Sequence, residues 1–177
     1  GSGLTVPSLR DYAPRIWDYW ERKLDPDLFV DHSLEGNITG RNVLITGASS
    51  GIGKATALRL ADAGAHVILV ARTREKLEET AAEIELAGGR ASMHTADVSV
   101  MEDVDRLVAE VLDAHGGIDI LINNAGRSIR RSLELSFDRF HDFERTMQLN
   151  YFGAIRLIMG LAPSMLERRS GQVINIS

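Results

Sequence analysis

The sequence predicts an α/β fold in which helices cover both faces of a parallel β-sheet, the doubly wound Rossmann-type arrangement. From about Arg41 onward, short runs of β-branched apolar residues alternate with longer stretches that carry apolar residues at helical spacing. A glycine-rich segment, TGASSGIG (46–53), joins the first of these runs to the first helical stretch. Such alternation needs crossover connections, which favour parallel strands and right-handed connections between them.

Five strands and four helices are expected in order along the chain. The strands are the runs NVLIT (42–46), AHVILVA (65–71), RASMHTA (90–96), IDILIN (118–123) and GQVINI (171–176). Between them, residues 51–63, 74–86, 101–115 and about 137–168 combine helical spacing with good helix formers. The closing GQVINIS resembles an interior strand of a larger sheet, so we expect the domain to be truncated there, without the strands that would follow.

The composition predicts one globular domain and excludes several classes of protein. The chain has 177 residues, of which 44% are hydrophobic, and its net charge of −5 argues against nucleic acid as a partner. It has no cysteine, which excludes a disulfide scaffold or a thiolate metal site. No long apolar run indicates a membrane span or signal peptide, so a cytoplasmic protein is expected. No metal site is expected either, because the histidines lack ligand spacing: His32, His66, His94, His115 and His141.

The segment 4–36 differs in character from the rest and is interpreted as an N-terminal helical arm or linker before a dinucleotide-binding domain at 37–177. Ile16, Trp17, Trp20 and Leu24 fall on one face of a short helix that Pro26 helps to end. The arm packs on its own domain or on a second subunit, or else it is a docking or membrane-surface helix or a linker from a preceding domain. Residues 1–3, GSG, have the composition of a cloning scar and are set aside.

The glycine-rich segment has the features of a phosphate-binding loop. Gly47 permits a sharp turn off the first strand, while Gly51 and Gly53 let backbone amides and the helix approach a ligand closely. Those amides and the helix N-terminus favour an anion, most naturally a pyrophosphate. Because the loop follows a strand, opens a helix and is followed by a second strand, dinucleotide binding is favoured over a structural glycine-rich turn.

The end of the second strand predicts NADP(H) rather than NAD(H). An acidic residue there would hydrogen-bond the ribose 2′-hydroxyl, but this chain has Ala71, Arg72 and Thr73. A guanidinium paired with a 2′-phosphate contributes about 1.5–3 kcal/mol. The alternative is that Arg72 merely ends a strand at the surface.

Four motifs in order resemble the short-chain dehydrogenase/reductase family: TGASSGIG, ADVS (96–99), NNAG (123–126) and the asparagine of MQLNYFGA (147–154). The resemblance covers residues 42–177. The segment 121–154 is most similar to bacterial fatty acyl-CoA reductases, which reduce long-chain acyl-CoA to the aldehyde with NADPH. This implies an NADP(H)-dependent oxidoreductase of lipid metabolism. A ketone or 3-oxoacyl reductase of the same family, or a non-catalytic nucleotide-binding or interaction module, remain as alternatives.

The resemblance implies a set of cofactor-binding residues spread over four loops. Pyrophosphate contacts are implied for Gly47, Gly51, Ile52 and Gly53, and contacts to the adenosine ribose and its phosphate for Ser49, Ser50, Arg72 and Thr73. Adenine contacts are implied for Asp97 and Val98, and a backbone surface beneath the other ribose for Asn124, Ala125 and Gly126.

The family's catalytic residues are only partly present. Asn150 matches the asparagine of the catalytic tetrad, which holds a helix kink and a water of the proton relay. The catalytic serine follows the last strand, where Ser177 aligns with the first serine of the usual pair, and a Tyr-x-x-x-Lys helix comes later. Tyr12 and Tyr19 lie in the N-terminal arm, and Tyr151 has no lysine at that spacing. The 177 residues alone are therefore predicted to be inactive.

Two further groups of residues, one of arginines and one of apolar side chains, each have two interpretations. Arg127, Arg130 and Arg131 follow the fourth strand and form either a solvated loop or an anion site for coenzyme A phosphates. Four apolar residues at helical spacing indicate the core or a subunit interface, or else an acyl-chain wall: Phe137, Phe140, Phe143 and Met147. The resemblance also implies a homo-oligomer formed through the helix that carries Asn150.

Overall fold

The computed structural model describes residues 8–24, 31 and 33–176. It divides into two compact units between Asn37 and Ile38, one residue beyond the predicted boundary. Predictions that concern Gly1 to Gly3, Pro26 and Ser177 fall outside the described residues.

In the first unit, helix α1 (Leu9–Leu24) is amphipathic, with Pro14 inside it. Ile16, Trp17 and Trp20 are more than half exposed. The predicted helix is therefore present and begins earlier than the apolar stripe alone indicates. The surface that the apolar face of α1 contacts, whether its own domain, a second subunit or another partner, stays a prediction.

In the second unit, five strands form one parallel sheet of order β3-β2-β1-β4-β5. Each strand lies within the run predicted for it, which confirms the doubly wound α/β fold class. Their bounds are β1 (Asn42–Thr46), β2 (His66–Ala71), β3 (Arg90–Thr95), β4 (Ile120–Asn123) and β5 (Gln172–Asn175).

The helices follow the predicted alternation, with two differences: an additional short helix and a division of the last predicted helix. A short helix α2 (Leu34–Ile38) leads into β1. The predicted helix 137–168 is divided by a π-helical turn at Gln148–Phe152 and is preceded by a 3₁₀ turn at Leu133–Leu135. The remaining helices are α3 (Gly51–Asp62), α4 (Arg74–Leu86), α5 (Met101–His115), α6 (Phe140–Met147) and α7 (Gly153–Glu167).

The central strands β1, β2 and β4 are buried on both faces, as expected for parallel strands covered by helices, whereas the edge strands β3 and β5 are more exposed. Val43 and Ile45 of β1 belong to one apolar cluster together with Leu77 of α4. Leu44, between them, belongs to a second cluster on the other face, with Leu161 of α7. Alternate side chains of one strand therefore anchor opposite helical layers, which fixes the carboxyl ends of the strands relative to the loops.

Helix α7 is buried on one side only. Among the described residues one helix, Phe140–Glu167, is long and apolar enough to cross a membrane by length and composition. Leu157, Leu161 and Met165 of this helix are buried against α5 and the sheet, which accounts for part of its apolarity. Its outer side carries exposed apolar residues, here called the α6–α7 face: Phe140, Phe143, Met147, Tyr151, Phe152, Ile155, Met159 and Leu166.

The four apolar residues predicted for the core or an interface are exposed. The exposed fractions are 78% for Phe137, 72% for Phe140, 44% for Phe143 and 48% for Met147. The prediction of a core position is therefore wrong for this unit, because no element among the described residues covers that side of α6. The subunit interface and the acyl-chain wall stay predictions.

Candidate nucleotide-binding site

A pocket of about 360 Å³ lies at the carboxyl edge of the sheet, within the usual size range of small-molecule sites. It is formed by the loops after β1, β2, β3 and β4, where the order of the strands reverses at β1, as in other doubly wound sheets. Ten of the predicted cofactor-binding residues line it: Gly47, Ser49, Ser50, Arg72, Thr73, Asp97, Val98, Asn124, Ala125 and Gly126.

The other three predicted residues, Gly51, Ile52 and Gly53, form the first turn of α3 directly after Ser50. The Ser50 side chain makes no capping hydrogen bond to that turn. Helix termini leave their first amides without internal partners, so an anion at this end of α3 would meet unpaired donors and the positive end of the helix.

Two different physical reasons account for the glycines of the loop: a positive φ and close contact with neighbouring backbone. Gly47 has a positive φ of +68°, and a Cβ there would lie 3.1 Å from the Ala125 Cα. A Cβ on Gly53 would overlap the Gly47 carbonyl oxygen and the Asn124 side chain. The loop, the first turn of α3 and the segment after β4 therefore touch backbone to backbone. At Gly51, φ is +55° and a Cβ would meet nothing within 4 Å, which leaves open space beside the loop.

Thr46, at the end of β1, joins the pocket's two central loops, a role that was not predicted from the sequence. Its buried Oγ1 accepts hydrogen bonds of 3.0 Å from the backbone amides of both Asn124 and Ala125. The Asn124 side chain in turn donates to the Thr46 carbonyl oxygen at 3.0 Å. A hydroxyl residue at the end of a buried apolar strand is the signal that could have identified it.

The Asp97 side chain is held in a fixed orientation at one end of the pocket. Its Oδ1 accepts hydrogen bonds from the Ser99 amide at 3.0 Å and from the Ser99 hydroxyl at 2.6 Å. Its Oδ2 lies 3.7 Å from an Arg72 guanidinium nitrogen, a distance longer than that of a normal hydrogen bond. Arg72 is thus placed beside the pocket by a loose ion pair.

Five lining residues were not predicted as site residues: Val70, Ala71, Lys76, Ala96 and Leu149. Four of them are apolar. Lys76, in the first turn of α4, is the charged one. A lysine one turn beyond the end of the second strand was the signal available for it in the sequence.

Asn150 lies in the π-helical turn and joins it to the loop after β4. Its side chain makes a reciprocal pair with the backbone of Arg127: Nδ2 donates to the carbonyl oxygen at 2.8 Å, and Oδ1 accepts from the amide at 3.0 Å. A widened helical turn of this kind is often found at functional sites. The pair fixes the chain directly after Gly126, which lines the pocket.

The three arginines after β4 do not behave alike. Arg131 forms a 2.8 Å ion pair with Asp142, which also accepts from Arg139 at 2.8 Å. These two hydrogen bonds, that of Arg139 first, lower the pKa of Asp142 to about 2. Arg131 is therefore engaged by a carboxylate that it shares with Arg139, whereas Arg127 and Arg130 form no ion pair within the part of the chain that the structure describes.

Comparison with known families gives a match over most of the chain. The model of the family described as short chain dehydrogenase matches residues 41–177. A fatty acyl-CoA reductase of Acinetobacter baylyi is 59% identical over 141 residues, which cover 80% of this chain and 48% of that protein. A fatty acyl-CoA reductase of Mycobacterium tuberculosis is 52% identical over 141 residues, with the same two coverages. The chain thus spans about half the length of the curated relatives it matches.

Solved structures give the same result. A metagenomic short-chain oxidoreductase in complex with NADP is 36% identical, with a TM-score of 0.75 over 79% of this chain and 63% of that one. L-Sorbose reductase from Gluconobacter frateurii, complexed with NADPH and L-sorbose, is 39% identical, with a TM-score of 0.73 over 78% of this chain and 52% of that one. An NAD⁺-bound xylitol dehydrogenase is 33% identical, with a TM-score of 0.73 over 78% of this chain and 53% of that one.

Proposed function

Because the chain belongs to the short-chain dehydrogenase family, a family of oxidoreductases that bind a nicotinamide cofactor, we propose that residues 38–176 are the NADP(H)-binding part of a reductase that acts on a carbonyl. The observation that carries this proposal is the pocket at the reversal point of the sheet, lined by Gly47, Arg72 and Asn124. The substrate we propose is a long-chain fatty acyl-CoA, reduced to the aldehyde.

The residues present fit a dinucleotide. Open space beside Gly51 and the uncapped first turn of α3 suit a pyrophosphate that approaches the backbone closely. Thr46 and Asn124 hold the two loops on either side of that position. When bound, the nicotinamide cofactor supplies the hydride. The chain's own residues bind and orient it: backbone amides at the pyrophosphate, Asp97 at the adenine, and the Asn124 to Gly126 backbone beneath the ribose.

The preference for NADP(H) over NAD(H) is supported by charge. Arg72 and Thr73 follow β2 directly, in the position where an acidic residue would select NAD(H). Among the described residues, Arg72 is held only by the 3.7 Å contact to Asp97, so its guanidinium can turn toward a phosphate at little cost. Relatives bind either cofactor, so this proposal depends on the residues of this chain and not on the family.

The acyl-CoA substrate is supported by the two fatty acyl-CoA reductases that share more than half of their aligned residues with this chain. Arg127 and Arg130, exposed and unpaired among the described residues, are the cations we propose for the coenzyme A phosphates. Arg131 is left out because Asp142 already pairs with it. A form of the protein that also contains the family's serine, tyrosine and lysine would test this: Arg130→Glu should raise the KM for palmitoyl-CoA, and an unchanged KM would contradict the proposal.

A ketone substrate is the second candidate. It is favoured by the 39% identity to L-sorbose reductase, whose structure contains NADPH and L-sorbose. The same form of the protein separates the two. NADPH oxidation with palmitoyl-CoA but not with ketones supports the acyl-CoA proposal, whereas turnover with ketones alone supports the second candidate.

The 177 residues alone are proposed to bind NADPH without turning it over. In the family mechanism a tyrosine donates the proton to the carbonyl oxygen and a lysine lowers the pKa of that tyrosine. The one Tyr-x-x-x-Lys spacing in this sequence, Tyr19 to Lys23, lies in α1, before the residues 41–177 that match the family. Asn150 is present, but it holds the Arg127 backbone and is no acid. Absorbance at 340 nm with NADPH and palmitoyl-CoA should stay constant, and a steady decrease coupled to aldehyde formation would contradict the proposal.

A further inference from the structure

Three cations lie within five residues at the end of β2 and the start of α4, and they differ in what holds them. Arg74 is committed to Glu78, with a 2.8 Å hydrogen bond one turn along α4. Arg72 has the loose contact to Asp97 across the end of the pocket. Lys76 lines the pocket, and its ammonium group makes no ion pair or hydrogen bond with any residue that the structure describes.

The local charge balance makes Lys76 the uncompensated cation of the pocket. The charged lining residues are Arg72, Lys76 and Asp97, and the single carboxylate is closest to Arg72. Lys76 also stands in the first turn of α4, where Thr73 makes no side-chain capping hydrogen bond. Thr73 itself lines the pocket, so the positive end of that helix lies beside it.

We propose that Lys76 is a specificity-determining residue that, together with Arg72, contacts the 2′-phosphate of NADP(H). This rests on the proposed NADP(H) function and deepens it. A phosphate monoester carries close to two negative charges near neutral pH. Arg72 with Asp97 beside it offers less than one compensating charge, and Lys76 supplies a second positive charge. Arg72 provides directional hydrogen bonds, and Lys76 provides a mobile point charge.

The test uses two probes that differ only in the 2′-phosphate: adenosine 2′,5′-bisphosphate and adenosine 5′-monophosphate. Their dissociation constants are measured by isothermal titration calorimetry on residues 1–177. We expect Lys76→Met to raise the dissociation constant of the bisphosphate by about ten-fold, which corresponds to the loss of one charge-assisted contact. The dissociation constant of the monophosphate should change by less than about two-fold. Lys76→Arg should retain most of the affinity.

The matched control is Arg74→Met, which removes one positive charge from the same helical turn. Because Glu78 engages that arginine, both dissociation constants should stay within about two-fold of the wild type. Circular dichroism confirms that each variant is folded, which is expected because both side chains are exposed.

The outcomes separate the inference from the function on which it rests. If the wild type binds the two probes equally, the NADP(H) preference itself fails, and the role of Lys76 with it. Two outcomes would overturn only the role of Lys76, given a wild type that prefers the bisphosphate. In one, Lys76→Met keeps that preference; in the other, it weakens the binding of both probes equally.

Discussion

At the scale of single residues, the pocket depends on side chains that bond to backbone more than on side chains that reach into it. Thr46, Asn124 and Asn150 each hold a loop by hydrogen bonds to main-chain atoms. Thr46 is 2% exposed, so its hydrogen bonds are made away from water. Removing such a group leaves buried partners unsatisfied, which costs more than the bond itself contributes.

We predict that Thr46→Val destabilises the protein by about 2 kcal/mol, because the Asn124 and Ala125 amides lose their acceptor while the shape is kept. NADPH affinity should fall as well. Urea denaturation and NADPH titration measure the two effects, and Thr46→Ser should restore both.

Thr80→Val is the matched control for that variant. Thr80 is equally buried, but its hydroxyl donates to the Lys76 carbonyl oxygen within α4, and no loop depends on it. A loss of NADPH affinity in Thr80→Val as large as in Thr46→Val would remove the specific role given to Thr46.

At the scale of secondary-structure elements, three histidines meet where β2, β3 and α5 pack. The ring of His115 lies 5.1 Å from that of His66 and 6.2 Å from that of His94. Desolvation lowers the pKa of both His66 and His115, and positive neighbours lower it further. The polar and charged groups that face the cluster are Asn42, Ser92, Arg90 and Glu110, and Glu110 contacts His94 at 3.0 Å.

We predict that stability decreases on acidification below about pH 6.5, the unperturbed histidine value. With a folded pKa below the unfolded one, the unfolded chain binds more protons in this range, so stability is complete above it and is lost as the pH falls. Urea unfolding at pH 7.5 and 5.5 measures the loss, which His115→Gln should reduce. His141→Gln, on α6 and outside the cluster, should leave the loss of stability unchanged. If the two variants lost stability equally on acidification, the pH dependence would not come from the histidine cluster.

The elements were predictable from the sequence where local pattern decides them, and less so where a tertiary contact does. The β-branched runs gave the five strands, and the limits of α4 and α5 follow from periodicity alone. The residues QLNYF by themselves did not indicate the π-helical turn. Only the family resemblance implied a kink at Asn150, which pairs with the Arg127 backbone, far away in sequence. The apolar spacing of α6 likewise predicted burial, but it did not identify the surface that would cover these side chains.

The site was predictable to the same degree. Glycines and Arg72 follow from the strand, loop and helix pattern, because phosphate binding imposes that pattern. The pairing of Arg131 with Asp142 and the position of Lys76 in the pocket needed the fold, since each depends on where a helix lies relative to a distant loop.

At the scale of the whole molecule, the α6–α7 face is the largest group of exposed apolar side chains in the described part of the second unit. Contiguous apolar surface of this kind marks an interaction site. The edge strand β5 adds Val173, 38% exposed. The protein is therefore expected to associate through this face with a second copy.

We predict that Met159→Lys, in the centre of the α6–α7 face, shifts the protein toward monomer, because burying an unpaired charge opposes association. Leu86→Lys is the matched control, since Leu86 is 92% exposed at the end of α4 and outside this face. Sedimentation velocity over a concentration series measures the shift. A monomeric wild type, or an equal effect of both variants, would contradict the role of the face.

Calorimetric titration of the 177-residue protein with NADP⁺ and with NAD⁺ shows whether residues 38–176 form an NADP(H) site. We expect NADP⁺ to bind at least about ten-fold more tightly than NAD⁺, through the Arg72 and Lys76 charges. Equal affinities, or tighter binding of NAD⁺, would contradict it.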